Sequence, residues 1–170
     1  MLRYLTAGES HGKTLVAIVD GLPAGIHIDC SLIDYELKRR QGGYGRGGRQ
    51  KLETDQVEVL SGIWKNTSLG SPIALQVVNR DYKLERLEDL PRPRPGHGDL
   101  AGAVKYLAPI RAILERASAR ETAIRVAAGA LTKQLLSLFD ISVFGFVSEL
   151  GGIPAEVPPD TSLKDLHCLR

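Results

Sequence analysis

The sequence has 170 residues, of which 43% are hydrophobic and 25% charged, so the chain can bury a core and is not intrinsically disordered. Its formal net charge of +2 gives no bulk signal for nucleic-acid binding, and its two cysteines exclude a disulfide framework and fit a reducing cytosol. We see no signal or transit peptide and no apolar run of about 18 residues, and therefore expect a cytoplasmic protein that does not span a membrane.

Short apolar runs in the first half of the chain predict the strands of an antiparallel sheet. The run 15–19 is continuous and rich in branched residues, which is typical of a buried strand, and a turn at Asp20-Gly21 should join it to the next strand. Alternation in that next strand places His27 outward. The last two runs should pair as a hairpin around a turn at 65–70. The predicted strands are 2–7, 15–19, 26–28, 57–64 and 72–78.

Two helices and a final strand are also predicted. Ser31 should cap the first helix, which should end at Gly42-Gly43. Pro109 fits the first position of a second, long helix, whose buried stripe runs from Ile110 to Leu138 at three- and four-residue spacing. The run 141–147 predicts a further strand. Strands joined by hairpins and mixed with helices indicate an α+β fold rather than regular βαβ crossovers.

The segment Gly8-Glu9-Ser10-His11-Gly12 is the first candidate site. A histidine between glycines at the end of a strand faces a cleft and can exchange protons at neutral pH. The segment also matches the nucleophile elbow G-x-S-x-G formally. That elbow precedes a helix, however, and a strand is predicted here, which disfavours a serine hydrolase. A turn histidine without a catalytic role is the alternative.

The glycine-rich segment 40–49 carries the arginines Arg40, Arg46 and Arg49. Arginine binds phosphate and carboxylate in a bidentate way, and glycine lets the backbone approach a ligand, so this segment suits a small polyanion. It lacks the GK[ST] of a Walker A loop and follows a helix, unlike a Rossmann fingerprint. An RNA-binding module is the main rival, but Tyr44 is the one aromatic residue here and aromatics total 5%, which is poor for base stacking. A solvated loop is the third reading.

The segment 92–99 presents a second histidine, His97, shortly after Arg94. Three alternating prolines favour an extended, semi-rigid approach, so that these side chains lose less entropy when they are ordered. No HxH, HExxH or CxxC spacing accompanies either glycine-flanked histidine, and we therefore predict no metal site.

The segment 115–122 places charges inside the predicted long helix. Arg116 and Arg120 are four residues apart and should share one face, with Ser118 on another. A salt-bridged helix surface is the alternative, but the helix is otherwise apolar and rich in alanine, which favours a lined pocket. Together, four arginine-bearing segments and two glycine-flanked histidines predict one polyanion site with acid catalysis.

In this order the motifs resemble those of the chorismate synthase family. Residues 8–23 resemble the family's first signature and residues 115–131 its second. RRQGGYGRGGR, LGSPIAL, NRD and RPGHGD lie between them in the family's order, so that the resemblance covers nearly all of the chain. It implies an α+β fold in which antiparallel sheets sandwich helices.

The resemblance implies a lyase that converts 5-enolpyruvylshikimate 3-phosphate to chorismate and phosphate by 1,4-elimination, in aromatic amino acid biosynthesis. Reduced FMN is implied as the cofactor, without net redox change, and NADPH as the reductant in bifunctional members. The implied assembly is a homotetramer, and no nucleic acid or membrane is implied as a partner.

The resemblance also implies a role for each candidate residue. By the family's pattern, His11 is the general acid for phosphate departure and His97 protonates the reduced flavin. FMN contacts are implied at Arg116, Ala117 and Ser118, and NADPH contacts at Arg40 and Arg46. The residues implied to hold the substrate's anionic groups are Ser10, Arg40, Arg46, Arg49, Arg94 and Arg120.

Two departures from the family pattern are visible. Residues 105–111 look one residue shorter than usual and lack the aspartate commonly found before Arg111. Family members are also much longer, so we expect residues 1–170 to be the N-terminal portion of one domain whose C-terminal half is absent from this chain. On its own the chain should have an incomplete flavin site and little turnover. A non-catalytic fragment that acts only in assembly is a further hypothesis.

Overall fold

The computed structural model describes residues 1–42, 48, 52–158, 160–162 and 165. Two predicted site residues, Arg46 and Arg49, lie outside the described residues, as does Tyr44. The chain forms two compact units, Met1–Leu135 and Leu136–Arg170, and the first carries every predicted site residue that is described.

A four-stranded antiparallel sheet dominates the first unit. The strands of this unit are β1 (Arg3–Ala7), β2 (Thr14–Asp20), β3 (Glu58–Ser61), β4 (Ile63–Trp64), β5 (Thr67–Ser68) and β6 (Ile73–Val78). The sheet has the order β1-β2-β6-β3, with Arg3 opposite Asp20 and Val19 opposite Ile73. The small β4–β5 hairpin lies in the connection between β3 and β6.

The strand predictions are confirmed for β1, β2 and the β3–β6 hairpin. The predicted strand at 26–28 is wrong, because this segment forms a single bridge between His27 and Thr67. Both edges of β2 are already paired, one with β1 and the other with β6, so no third strand can join it. His27 is exposed, as alternation predicts.

The first helix, α1 (Cys30–Gln41), begins earlier than predicted. Its N-cap is Asp29 rather than Ser31, and the Asp29 carboxylate accepts the Ser31 backbone N–H at 2.8 Å. Hydrogen bonding from Ser31 lowers the pKa of Asp29. At the other end, the Gly42 N–H donates to the Arg39 carbonyl at 3.1 Å, and the helix ends where predicted.

The predicted long helix is wrong as a single element. Ser118 has an extended backbone with ψ of 148°, and its hydroxyl accepts the Arg120 N–H at 3.3 Å, so a new cap forms where the apolar periodicity predicts continuation. Pro109 is the N-cap of the helix that begins at Ile110, rather than its first helical residue. Because that helix ends at Arg116, Arg116 and Arg120 do not share a helix face. The elements are α3 (Ile110–Arg116), a 3₁₀ turn (Ala119–Glu121) and α4 (Thr122–Ser137).

A helix absent from the predictions, α2 (Asp99–Tyr106), follows the proline-rich segment. It packs so closely on α3 that a Cβ on Gly102 would lie 2.4 Å from Cγ2 of Ile113. Any larger residue at Gly102 would therefore displace Ile113. Eight residues are too few to show a clear helical period, which explains why the pattern did not predict α2.

The core joins one face of the sheet to α1 and α4. β2 is buried on that face alone, since Ile18 on its other face is 38% exposed. Both the predicted stripe of α4 and the α+β class, with helices on antiparallel strands, are confirmed. The fully buried core residues are Leu15, Ala17, Val19, Ile33, Leu37, Ile73, Leu75, Val77, Ala123, Ile124, Ala127 and Leu131.

The second unit contains a small hairpin formed by β7 (Glu149–Leu150) and β8 (Ile153–Pro154). Gly151 and Gly152 form its turn at φ of +60° and +82°, in the region that favours glycine. The predicted strand at 141–147 is wrong, because these residues belong to no sheet in the described part of the unit. An apolar run becomes a strand only where a neighbouring strand supplies its hydrogen bonds.

Candidate active site

The turn between β1 and β2 is shaped by a glycine and held by a buried amide. Gly8 has φ of +111°, and a Cβ there would lie 2.5 Å from the Thr14 carbonyl oxygen, so this position requires glycine. Asn79, which follows β6, donates through Nδ2 to the carbonyls of Glu9 and Gly12 at 3.2 and 2.8 Å. Asn79 therefore ties the turn that contains Ser10 and His11 to the end of β6, and His11 is the first predicted catalytic histidine.

The C-terminal end of α3 fixes Ser10 and His11. The Ser10 N–H donates to the Glu115 carbonyl at 2.8 Å, and the His11 N–H donates to Glu115 Oε2 at 2.9 Å. The same Oε2 lies 2.8 Å from His11 Nδ1, and the Glu115 side chain is fully buried. The Ser118 hydroxyl donates to the Ser10 hydroxyl at 3.1 Å. Two predicted segments thus meet at one place, as the resemblance implies.

The second ring nitrogen of His11 faces another carboxylate. Nε2 lies 3.4 Å from Asp81 Oδ2, and that oxygen also accepts from Lys83 Nζ at 3.0 Å. The backbone N–H groups of Lys83 and Leu84 donate to the His11 carbonyl at 3.1 and 3.0 Å. His11 is therefore bracketed by two carboxylates, each with a cation beside it.

Arg94 forms a bidentate ion pair with the buried carboxylate of Asp99. Its Nε and Nη2 donate to Oδ2 and Oδ1 of Asp99 at 2.8 and 2.9 Å, and its backbone N–H adds a bond of 3.0 Å. These hydrogen bonds from Arg94 hold the pKa of Asp99 at about 2. The Arg94 side chain is nevertheless 37% exposed, so part of its guanidinium can meet a second anion.

We expect Asp99→Asn to remove an acid-sensitive part of the stability. The pKa of Asp99 is about 2 in the folded chain, against about 3.9 for an unperturbed aspartate. A lowered pKa stabilises the folded state above the unfolded pKa, and this contribution disappears as the pH falls through the folded pKa. In urea unfolding followed by circular dichroism, wild type should exceed the variant by a constant margin above about pH 5 and lose that margin towards about pH 2.

Asp160→Asn, at an exposed position in the second unit, is the control for this measurement. Its difference from wild type should show no such loss of margin below about pH 4. A margin for Asp99→Asn that does not change with pH would contradict the assignment.

His97 lies on an exposed loop beside the end of α3. Its Nδ1 is 3.0 Å from the Pro95 carbonyl oxygen, and a Cβ on the next residue, Gly98, would lie 3.9 Å from Ala117 Cβ. In the described part of the chain, no hydrogen bond or ion pair joins its ring to His11. The structure thus brings the His97 loop to the predicted flavin-contacting turn, and the two histidines occupy separate environments.

Arg120 is buried among acidic groups. Its Nε donates to Asn79 Oδ1 at 2.7 Å, its Nη1 to Asp55 Oδ1 at 2.6 Å, and its Nη2 lies 3.6 Å from Glu53 Oε2. The Arg120 side chain is 6% exposed and that of Asp55 is fully buried. The other Asp55 oxygen lies 3.4 Å from Arg40 Nη1. Two arginines predicted to hold substrate therefore share one buried carboxylate.

Arg40 also ties α1 to the turn before α4. Its Nε donates to the Thr122 hydroxyl and its Nη2 to the Ala119 carbonyl, both at 3.0 Å, and its side chain is 11% exposed. These bonds anchor the end of α1, from which the glycine-rich segment leaves. Contact of Arg40 with substrate or NADPH stays a prediction, and the contacts seen here give it a structural role.

The predicted flavin-contacting turn is partly open. Arg116 donates through Nη2 to the carbonyl and hydroxyl oxygens of Thr6 at 3.1 and 3.2 Å, and its Nη1 lies 3.5 Å from Glu121 Oε1. Its side chain is 41% exposed, and Ala117 is exposed as well. Burial raises the pKa of Glu121, but hydrogen bonds from Thr6 and Arg125 outweigh it and the net shift is downward.

Two surface grooves formed by described residues lie apart from this site. Their volumes are about 360 and 670 Å³, and both flank β1 and are lined in common by Leu2, Arg3 and Tyr4. Neither includes a predicted site residue. The candidate site is identified by the hydrogen-bonded polar side chains that converge around His11. The depth of a groove is not required, because a partner or ligand can complete a shallow site.

Four acidic residues that shape the site are absent from the predicted site residues. Asp81 lies in the NRD motif, and Glu115 is the first residue of the segment 115–122, but neither position indicates a histidine partner. Asp55 and Glu53 lie in a stretch without periodicity, and no local signal identifies them. Within the described residues, no group of three or more His, Cys, Asp or Glu side chains could hold a metal ion, and no helix is long and apolar enough to cross a membrane.

Fold and candidate site together define a class: an α+β protein in which a histidine on a strand turn, two serine hydroxyls and several arginines form a candidate site for a polyanion. A family model described as chorismate synthase matches residues 2–169. The chain therefore belongs to the chorismate synthase family.

Relatives agree with that assignment. A chorismate synthase of Symbiobacterium thermophilum is 54% identical over 183 residues, covering 97% of this chain and 47% of the relative. One of Thermoanaerobacter pseudethanolicus is 55% identical over 159 residues, covering 91% of this chain and 45% of the relative. A crystal structure of chorismate synthase, 47% identical, superposes with a TM-score of 0.65 over 82% of this chain and 35% of that one. The chain spans about half the length of the curated relatives it matches.

Proposed function

We propose that this chain carries the histidine-acid part of a chorismate synthase, a lyase that converts 5-enolpyruvylshikimate 3-phosphate to chorismate and phosphate by 1,4-elimination. The observation that carries the proposal is His11, held between the carboxylates of Glu115 and Asp81 at 2.8 and 3.4 Å. A histidine so placed can give a proton to a departing phosphate oxygen, a step typically worth about 10²–10⁴-fold in rate.

The described arginines divide into two groups by exposure. Arg40 and Arg120 are 11% and 6% exposed. Their guanidinium nitrogens donate to partners inside the protein, except Arg120 Nη2, which has no hydrogen-bond partner among the described residues. Arg94 and Arg116 are 37% and 41% exposed and keep guanidinium surface for an incoming anion. We therefore assign the anionic groups of substrate and cofactor first to Arg94 and Arg116, and a framework role to Arg40 and Arg120. Arg46 and Arg49 stay predicted substrate ligands.

The turn at 116–118 fits the edge of a flat, anionic cofactor, because Ala117 is small and exposed and Arg116 is partly open. Arg116, Ala117 and Ser118 would hold FMN, as the resemblance implies. Reduced flavin, when bound, supplies transient electron density to the substrate without net redox change. His97 can move a proton at Nε2, since its Nδ1 is occupied by the Pro95 carbonyl at 3.0 Å.

The assembly and location follow from the family alone. The resemblance supports a homotetramer in the cytoplasm, with NADPH as reductant through Arg40 and Arg46 if the enzyme is bifunctional. Because the chain spans about half the length of its relatives, we propose that a working site also needs residues from their other half.

The direct test is a chimera in which this chain replaces the matching segment of the Symbiobacterium thermophilum relative, which is 54% identical to it. Anaerobic assays with reduced FMN would follow phosphate release and chorismate formation. We expect turnover by the chimera and little or none by the 170-residue chain alone. The unaltered relative is assayed in parallel. A folded chimera that binds FMN but forms no chorismate would contradict the proposal.

A further inference from the structure

We propose that Glu115 is a positioning residue that keeps a proton on Nδ1 of His11, so that Nε2 is the atom from which His11 gives its proton. The identity of the proton acceptor, a phosphate oxygen, rests on the proposed function. The assignment of the two ring nitrogens rests on contacts of this chain alone.

One oxygen of Glu115 serves His11 twice. Oε2 accepts the His11 backbone N–H at 2.9 Å and lies 2.8 Å from Nδ1 of the same residue. A backbone N–H always carries its hydrogen, so Oε2 acts as an acceptor at this place. A carboxylate has no hydrogen to donate, and Nδ1 must therefore be the donor in the second bond. Both bonds together fix the plane and the tautomer of the ring.

The surroundings of Glu115 indicate that its side chain does not serve to stabilise the fold. Its side chain is fully buried, and Oε1 has no hydrogen-bond partner among the described residues. The nearest cation is Arg111, whose Nη1 lies 3.7 Å from Oε1, beyond a hydrogen bond. A buried, half-satisfied carboxylate is costly, and an unsatisfied buried group calls for an explanation. The orientation of the His11 ring by Glu115 is such an explanation.

The opposite nitrogen faces the open side of the site. Nε2 lies 3.4 Å from Oδ2 of Asp81, whose side chain is 24% exposed, against a fully buried Glu115. Lys83 Nζ, 3.0 Å from the same oxygen, provides the local positive charge. Asp81 therefore lies beside Nε2 when no substrate is bound, and an anionic leaving group can take its place.

The proton step balances without a change at Glu115. The Nε2–H bond of the His11 imidazolium breaks, its electron pair stays on Nε2, and the proton goes to the oxygen of the departing phosphate. A neutral imidazole with hydrogen on Nδ1 remains, and the hydrogen bond to Glu115 persists throughout. A proton loss from Nδ1 instead would leave the buried Glu115 oxygen with only one of its two donors from His11.

The test is the ¹⁵N spectrum of the four histidine rings in the 170-residue chain, read at the alkaline limit of a titration. The His11 signals are assigned as those lost in His11→Gln. We expect a pyrrole-like shift for Nδ1 and a pyridine-like shift for Nε2. The reverse pattern in wild type would overturn the proposal without any further variant.

Glu115→Met removes the acceptor at similar length, and we expect His11 to move to the Nε2–H tautomer that unconstrained imidazole favours. Glu121→Gln, at a buried glutamate that does not touch His11, is the matched control and should leave the His11 tautomer unchanged. Unchanged His11 shifts in a folded Glu115→Met chain would refute the role of Glu115. If that variant does not fold, the wild-type spectrum still decides.

The chimera separates this inference from the proposed function. Glu115→Met, which removes the acceptor of Nδ1–H, should lower kcat with little change in KM, because the substrate-facing groups stay in place. A chimera that turns over while His11 is the Nε2–H tautomer refutes the inference alone. A chimera that never forms chorismate, with His11 in the Nδ1–H tautomer, refutes the proposed function and leaves the positioning role intact.

Discussion

Replacing His11 with alanine in the chimera is expected to lower kcat for phosphate release by about 10²–10⁴-fold while FMN binding stays unchanged. In the proposed function this ring is the proton source. Neither neighbour can replace it, since Glu115 is fully buried and Asp81 is paired with Lys83 at 3.0 Å. Phosphate release measures the chemistry, and quenching of flavin fluorescence measures the binding.

His27→Ala is the matched control, because His27 is exposed and its bridge to Thr67 is made by the backbone. This variant should retain the activity of the chimera. Loss of activity in both variants would indicate a folding defect of the chimera instead of lost chemistry. Turnover of His11→Ala at the level of His27→Ala would refute the acid role.

Local patterns predicted the parts of the fold that depend on near neighbours. β1, β2 and the β3–β6 hairpin follow from alternation and from turn residues, which act over two to six positions. The break at Ser118 was missed because the apolar stripe continues through it on both sides. The Ser118 hydroxyl accepts the Arg120 N–H at 3.3 Å and so ends the helix, although the apolar stripe favours its continuation. The backbone conformation shows which of the two tendencies prevails.

The sequence predicts which residues belong to the candidate site more fully than it predicts their chemistry. Glycine flanks point to His11, because Gly8 and Gly12 shape a turn that brings the ring to the end of α3. Its partner Glu115 lies 104 residues away, and no spacing rule joins them. The tautomer of a histidine depends on such distant partners, so sequence predicted an acid without saying which nitrogen acts.

Arginines that look alike in sequence differ in what their side chains do. Arg116 and Arg120 come from one motif, yet the first is 41% exposed and the second 6%. Burial depends on Asp55 and Glu53, which belong to a segment with no recognisable pattern. Sequence therefore predicts a polyanion site, whereas the structure distinguishes the partly exposed arginines from the buried ones, which is the basis of the framework role proposed for Arg120.

That distinction leads to the second large effect: Arg120→Met should lower the free energy of unfolding of the chain by about 3–5 kcal/mol. The substitution removes the guanidinium that donates to the fully buried Asp55 at 2.6 Å, and with it a positive charge 3.6 Å from Glu53. Arg40, at 3.4 Å from the other Asp55 oxygen, is the cation that remains. Removing one partner of a buried ion pair costs far more than the intact pair contributes. Urea unfolding followed by circular dichroism measures the loss.

Two further variants decide whether the loss comes from the buried Asp55 carboxylate. Arg92→Met, at an exposed arginine, should change stability by no more than about 0.5 kcal/mol. Adding Asp55→Asn to Arg120→Met should recover part of the loss, because the buried negative charge that has lost one of its two cations is gone, and the coupling should be about 0.5–3 kcal/mol. If Arg120→Met is as stable as wild type and only weakens substrate binding in the chimera, the framework role is wrong and the substrate contact implied by the family pattern is the better account of Arg120.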